Sequence, residues 1–179
     1  MSRARIIFDG AIEDATALLQ QFDAVHKDNQ NVGEVLKRAG LVMALTAWET
    51  FVEDRITEAV TARLKAVNGS PLGKFVRGKL DEELRRFHNP TADKTRKLFQ
   101  DYLEVDVTAG WKWQHHDPAS ARKTLDELLS KRGDAVHRSR AAVPGMPPAP
   151  HLLKRDDLEK AIRFLKGLVE ATDRTLDDH

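Results

Sequence analysis

The chain has 179 residues, a length that predicts one domain of residues 1–179 with a real hydrophobic core. Charged residues make up 32% of it, yet the formal net charge is only +1, so nucleic-acid binding would need a local basic patch. The absence of cysteine excludes disulfides and thiolate metal sites and fits a cytoplasmic protein. We expect no signal peptide and no membrane span, because the sequence lacks an apolar run of the required length.

Helical periodicity runs through almost the whole chain, and strand signals are few. A first helix is predicted over residues 9–26 and a second over residues 32–67. Residues 39–48 carry no charge, which predicts that the middle of the second helix is the most buried part of the fold. An Asn-Gly-Ser-Pro sequence at residues 68–71 ends that helix. The predicted apolar stripe of the first helix consists of Ala11, Ala15, Leu18, Leu19, Phe22 and Val25.

The middle of the chain is predicted to form a helical insertion at about residues 70–105. It contains a third helix over residues 72–87 and a fourth over residues 91–103, with a break at Asn89-Pro90. The third helix carries basic side chains that could steer RNA or could form an ordinary solvated face. They are Lys74, Arg77, Lys79, Arg85 and Arg86.

The last part of the chain is predicted to contain two more helices. Asp117 as the cap and Pro118 as the first helical residue open the fifth helix. A Pro-rich loop at residues 139–150 separates it from the last helix, over residues 156–176. The order of elements predicts an all-α fold, an up-and-down helical bundle with the insertion.

The sequence KRGDAVHR at the end of the fifth helix places an arginine and a histidine five positions apart. Gly133 suits the left-handed position that ends a helix, and Asp134 could cap the next turn. The pattern therefore predicts a break between Arg132 and His137. Residues five apart in an unbroken helix do not share a face, so the break would let both side chains point at one spot.

Arg132 and His137 suit the chemistry of a phosphodiester. Arginine presents a fixed fork of donors that matches phosphate oxygens, and histidine can give or take a proton near neutral pH. Lys131, Arg138 and Arg140 would surround the pair with positive charge. The residues alone also allow a plainer interpretation, in which basic side chains meet the dipole of a helix end and the histidine is simply exposed.

The motif and its setting resemble a known superfamily. The sequence KRGDAVH, with LVMALTAWETFVED upstream and DDLEKAIRFLKGLVEATD downstream, is similar to the RiboL-PSP type of HEPN ribonuclease domain. The resemblance covers about Ile12 to Leu176. It implies an RNA endonuclease without metal or other cofactor, in which Arg132 stabilises charge on the phosphorane and His137 moves a proton at the 2′-hydroxyl or at the leaving 5′-oxygen.

The resemblance also implies partners and a biological setting. Two copies of the motif would face each other across the two-fold axis of a homodimer, which supplies one histidine as base and another as acid. Such proteins often serve as toxins or anti-phage defence effectors, sometimes held off by an antitoxin or operon partner. The alternative is a catalytically inactive HEPN-like module that dimerises or binds RNA or protein.

Glu49 and the two residues after Arg132 are the supporting candidates. Glu49 follows the uncharged stretch, so its carboxylate either pairs with Arg132 and orients it or lies at the rim of a surface face. In the family a polar residue often follows the motif arginine directly, but here that position is Gly133. Either Asp134 takes over the polar role or it only caps a turn, and we favour the cap.

The irregular residues 105–116 contain four aromatic or imidazole side chains. Trp111 or Trp113 could stack on unpaired RNA bases. His115 and His116 invite a metal interpretation, but adjacent histidines need a third ligand nearby, and the spacing supplies none. The plainer interpretation is a packed flap, and we expect no metal site.

Overall fold

The computed structural model describes residues 1–133 and 153–178 with their side chains and residues 134–137 as backbone. The predicted all-α bundle is confirmed: the described chain contains six α-helices and two short 3-10 turns. The helices are α1 (Arg3–Val25), α2 (Gln30–Arg63), α3 (Pro71–Leu84), α4 (Ala92–Leu103), α5 (Pro118–His137) and α6 (Arg155–Asp177). The 3-10 turns are Leu64–Val67, directly after α2, and Val107–Gly110, between α4 and α5.

Polar side chains cap the start of most of these helices. Asn29, Ser70 and Thr91 each accept a hydrogen bond from a backbone N–H in the first turn of α2, α3 and α4. Asp117 accepts from the Ser120 N–H at 2.7 Å, so the predicted cap of α5 is confirmed. The predicted start of α1 at residue 9 was wrong. Ser2 caps a helix that begins six residues earlier and extends the buried stripe to Ala4 and Phe8.

Helix α2 is the central element, because it packs against α1, α5 and α6. Leu41, Leu45 and Trp48 are fully buried, whereas Met43 and Thr46 are exposed, so the uncharged stretch lies deep in the fold on one face only. Helix α6 approaches α2 closely at Gly40, where a β-carbon would lie 2.8 Å from the Leu158 side chain. The middle of α2 is therefore closely packed against its neighbours, and Glu49 follows directly after this packed stretch.

Helices α3 and α4, in the region of the predicted insertion, differ in how far they enter the core. Leu98, Phe99 and Leu103 of α4 are buried, whereas Leu80 is the buried apolar side chain of α3. Several basic residues of α3 and the turn after it are exposed, and Lys79 and Arg86 both pair with Glu82. The α3 face has the mixed charge of a solvated surface.

Helix α5 runs without interruption from Pro118 to His137, so the predicted break at Gly133 was wrong. Gly133 does not have a positive φ, and Asp134 lies inside the helix, where it cannot be an N-cap. Glycine permits the left-handed conformation but does not require it, and inside a helix it costs only about 1 kcal/mol relative to alanine. None of the described helices combines the length and the apolar composition needed to cross a bilayer.

Candidate functional site

An ion pair joins α5 to α2 at the surface of the bundle. The Nη1 atom of Arg132 donates to Oε2 of Glu49 at 2.8 Å. The side chains are 20% and 14% exposed, so the pair is shielded from solvent but still reached by it. The Arg132–Glu49 contact, one of the two alternatives for Glu49, is thus present in the structure. A charge-assisted bond of this length holds a guanidinium in a fixed direction.

The apolar faces of the two helices place this pair. On α5, Leu125, Leu128 and Leu129 are buried, and Arg132 follows one helical turn later on the same side. On α2, Glu49 comes directly after the buried Trp48, and Val52 one turn on is also buried. Both charged side chains therefore lie where the core ends and solvent begins.

A histidine that sequence reasoning missed lies on the other side of Glu49. His88, in the connection between α3 and α4, has its Nδ1 atom 3.6 Å from Oε1 of Glu49, and its side chain is 74% exposed. The two oxygens of one carboxylate thus face a guanidinium and an imidazole. The signal was a histidine directly before the Asn89-Pro90 break, where the chain must turn and can present a side chain.

The connection that carries His88 is held by bonds from three helices. The indole N–H of Trp48 donates to the Pro90 carbonyl oxygen at 3.1 Å, and the Ala92 N–H donates to Asp126 of α5 at 2.9 Å. The ammonium group of Lys94 donates to the His88 carbonyl oxygen at 2.6 Å. Asn89 has a φ of 52°, a left-handed conformation that asparagine tolerates. His88 is exposed on a backbone that is well fixed.

A second carboxylate lies one helical turn beyond Glu49. Burial raises the pKa of Glu53, and the negative charges of Glu49 and Asp54 raise it further, while His88 lowers it. The charge of a protonated His88 therefore reaches Glu53. The stretch of α2 from Glu49 to Asp54 is acidic, and Arg132 and, when protonated, His88 are two of the cations beside it.

The structure locates the other predicted site residues only in part. Lys131 is exposed on α5, while Arg138 and Arg140 lie outside the described residues. The side chains of Asp134 and His137 are not described, so the meeting of Arg132 and His137 stays a prediction. Five residues along an unbroken helix correspond to about 140° of rotation, and the break that was to align the two does not exist.

Trp111 cannot stack on bases, which corrects one of the sequence interpretations. Its ring is fully buried against Trp48, and its indole N–H donates to the Thr172 hydroxyl at 2.9 Å. Trp113 is partly exposed at a groove of about 710 Å³ between α5 and α6, which Lys131 also lines. Its ring packs against Phe164. Because Trp113 is also partly exposed, base stacking by this residue stays a prediction. Among the described residues, no three His, Asp or Glu side chains are grouped so that they could hold a metal ion.

Comparison with known proteins gives one finding. The model of the protein family described as RiboL-PSP-HEPN matches residues 11–178 of this chain, which is almost its whole length. No curated protein and no solved structure matches. The matched range includes both helices that carry the Arg132–Glu49 pair.

Proposed function

The chain belongs to the RiboL-PSP-HEPN family, and on that premise we propose that it is a metal-independent RNA endonuclease. The observation that carries the proposal is the Arg132–Glu49 ion pair, in which the motif arginine is fixed at the bundle surface between α2 and α5. A guanidinium fixed in this way is suited to a phosphate, because it is always charged and its donors match phosphate oxygens.

The guanidinium of Arg132 has N–H donors that the bond to Glu49 does not use. A guanidinium carries five N–H donors, and the bond to Glu49 engages Nη1. The remaining donors would contact the non-bridging oxygens of the scissile phosphate and stabilise the charge that grows on them in the transition state. Because Glu49 fixes the guanidinium before the substrate arrives, little orientational freedom is lost when the reaction begins.

His137 would move the proton in this reaction. The RNA's own 2′-hydroxyl is the nucleophile, its proton passes to an imidazole, and the products are a 2′,3′-cyclic phosphate and a free 5′-hydroxyl. We propose a homodimer that brings two copies of the motif together. One face of α2 supports it: Val35 is 54% exposed, and Val42 and Glu49 follow at seven-residue intervals on the same side.

The biological setting follows from the family alone. We propose a cytoplasmic toxin or anti-phage defence effector that acts on RNA and is held off by an antitoxin or operon partner. Growth arrest on expression of the wild type, and its loss in His137→Ala, would support a toxin. Normal growth with active enzyme present would argue against it.

The test is cleavage of a mixed RNA pool in excess EDTA by wild type and His137→Ala at equal concentration. We expect cleavage by the wild type alone, with 2′,3′-cyclic phosphate ends. No cleavage by either protein, with tRNA included in the pool, would favour an inactive RNA-binding or dimerisation module, for which Gly133 after the motif arginine is the supporting feature. Equal cleavage by both proteins would refute the role of His137.

A further inference from the structure

We infer that His88 is a second catalytic residue, the acid that protonates the leaving 5′-oxygen. The inference rests on the proposed function and answers a problem within it. Breaking the phosphodiester requires one group that accepts the 2′-hydroxyl proton and another that donates a proton to the departing oxygen. One histidine cannot readily do both in the same step.

The geometry points to His88 because it shares a carboxylate with Arg132. Oε2 of Glu49 accepts from the guanidinium at 2.8 Å, and Oε1 lies 3.6 Å from Nδ1 of His88. The separation of 3.6 Å is longer than a hydrogen bond, but a small rotation of the exposed His88 side chain would let Nδ1 bond to the carboxylate, which would then orient the ring. Since Nδ1 faces Glu49, the other ring nitrogen, Nε2, is left to donate to a substrate.

The charged groups around His88 come from three helices. On α2, Glu49 and Glu53 are both close enough to interact with its charge. On α4, the positive charge of Lys94 is bonded to the His88 carbonyl oxygen. On α5, Arg132 engages Glu49, and Asp126 is bonded to the backbone of Ala92. The nearest carboxylate to the imidazole is that of Glu49, and its other oxygen is bonded to Arg132, where the phosphate would bind.

The proposed cleavage step transfers two protons, forms one bond to phosphorus and breaks another. The 2′-oxygen forms a bond to phosphorus as its proton passes to the His137 imidazole. The bond from phosphorus to the 5′-oxygen breaks, and that oxygen takes the proton held on Nε2 of His88. His137 ends protonated and His88 neutral, and exchange with water restores both. In the proposed homodimer, His88 would then supply the proton that a second copy of His137 would otherwise have to give.

The experiment compares RNA with the same RNA carrying a 5′-bridging sulfur at the mapped cleavage site. A thiolate leaves without a proton, so loss of a general acid matters much less for the sulfur substrate. Single-turnover rates are measured in EDTA for wild type, His88→Ala, His88→Gln and His137→Ala. His115→Ala is the matched control, because His115 is another exposed histidine, on the loop before α5. Thermal melting confirms that each variant is folded.

We expect His88→Ala and His88→Gln to cleave RNA about 10²-fold more slowly or worse, with loss of the alkaline limb of the pH–rate profile. On the sulfur substrate the deficit should shrink by at least about tenfold, and His115→Ala should match the wild type on both substrates. Equal deficits on the two substrates, or no deficit on RNA, would overturn the inference. The proposed function would still stand in that case if His137→Ala abolishes cleavage. No cleavage by the wild type would overturn both.

Discussion

Helix α2 takes part in two arginine–carboxylate pairs that differ in their exposure to solvent. Arg55 donates to Asp173 of α6 at 2.7 Å, and the two side chains are 8% and 2% exposed. Asp177 also accepts from Arg55, and the Ser2 N–H donates to Asp173 at 3.2 Å. The Arg132–Glu49 pair has a similar bond length but is reached by solvent, and beside it is the exposed His88.

The difference separates a structural pair from a candidate site. The Arg55 pair is enclosed by its own bonds and ties α1, α2 and α6 together. Removing one partner of an enclosed pair leaves a buried charge, which is costly. The Arg132 pair is more exposed than the Arg55 pair, and its guanidinium keeps donors that a substrate can use. We therefore expect mutations at the first pair to change stability and mutations at the second to change RNA cleavage.

The largest effect on stability should come from Asp173→Ala. The change leaves Arg55 buried with only the exposed Asp177 as a carboxylate partner, and it should lower the free energy of unfolding by about 3–5 kcal/mol. Urea unfolding measures this directly. The fraction that remains folded should cleave RNA at the wild-type rate, and a selective loss of cleavage with intact stability would contradict the division between the two pairs.

Glu49→Gln should have the opposite profile. The amide cannot form an ion pair with Arg132, so the guanidinium is less well fixed, and we expect cleavage to fall by about 10²-fold. Stability should fall less than in Asp173→Ala, because glutamine keeps an oxygen that can accept from Arg132 and the pair is the more exposed of the two. Cleavage at the wild-type rate would show that Glu49 does not position Arg132 for the reaction.

Gly133→Ala tests whether α5 is continuous. A β-carbon at this position would meet nothing within 4 Å, and the residue lies inside a helix. Alanine should therefore raise the free energy of unfolding by about 1 kcal/mol. A loss of stability instead would indicate that Gly133 adopts the left-handed conformation in solution, as the sequence pattern suggested.

The enclosed pair should also give stability a small dependence on pH. Burial by itself would raise the pKa of Asp173, but hydrogen bonds from Ser2 and Arg55 outweigh it and hold that pKa below its ordinary value. The folded pKa is thus lower than the unfolded pKa of about 3.9, so this contribution is complete above that pH and is lost as pH falls through the folded value. Between about pH 5 and pH 2 the unfolding free energy of Asp173→Asn should fall less steeply than that of the wild type. Parallel curves would contradict the assignment.

Much of the fold could be predicted from the sequence, because periodicity and breaks report local preferences directly. The buried face of residues 39–48, the Asn89-Pro90 break and the Asp117 cap all lie where the pattern placed them. The continuity of α5 could not be predicted, since glycine is compatible both with ending a helix and with continuing one. Trp111 is buried against Trp48 and donates to Thr172, 61 residues away, and no local pattern reveals these contacts.

The sequence could predict only those site residues whose type and position in the chain point to a chemical role. Glu49 and Arg132 stood out because charge at the edge of an apolar stretch needs a partner. His88 did not, because its importance comes from its distance to Glu49, and that distance is set by the fold around Trp48 and Pro90. Whether a side chain on a turn belongs to a site depends on which side chains the tertiary structure places beside it.

The measurement that tests the central claim most directly is single-turnover cleavage of RNA in excess EDTA by wild type and Arg132→Ala, repeated on RNA with 2′-O-methyl groups throughout. We predict that the wild type cleaves the unmodified RNA, that Arg132→Ala is slower by about 10²–10³-fold with nearly unchanged melting, and that neither cuts the methylated RNA. Equal rates for the two proteins, or cleavage of the methylated RNA, would contradict a site in which Arg132 stabilises attack by the 2′-hydroxyl.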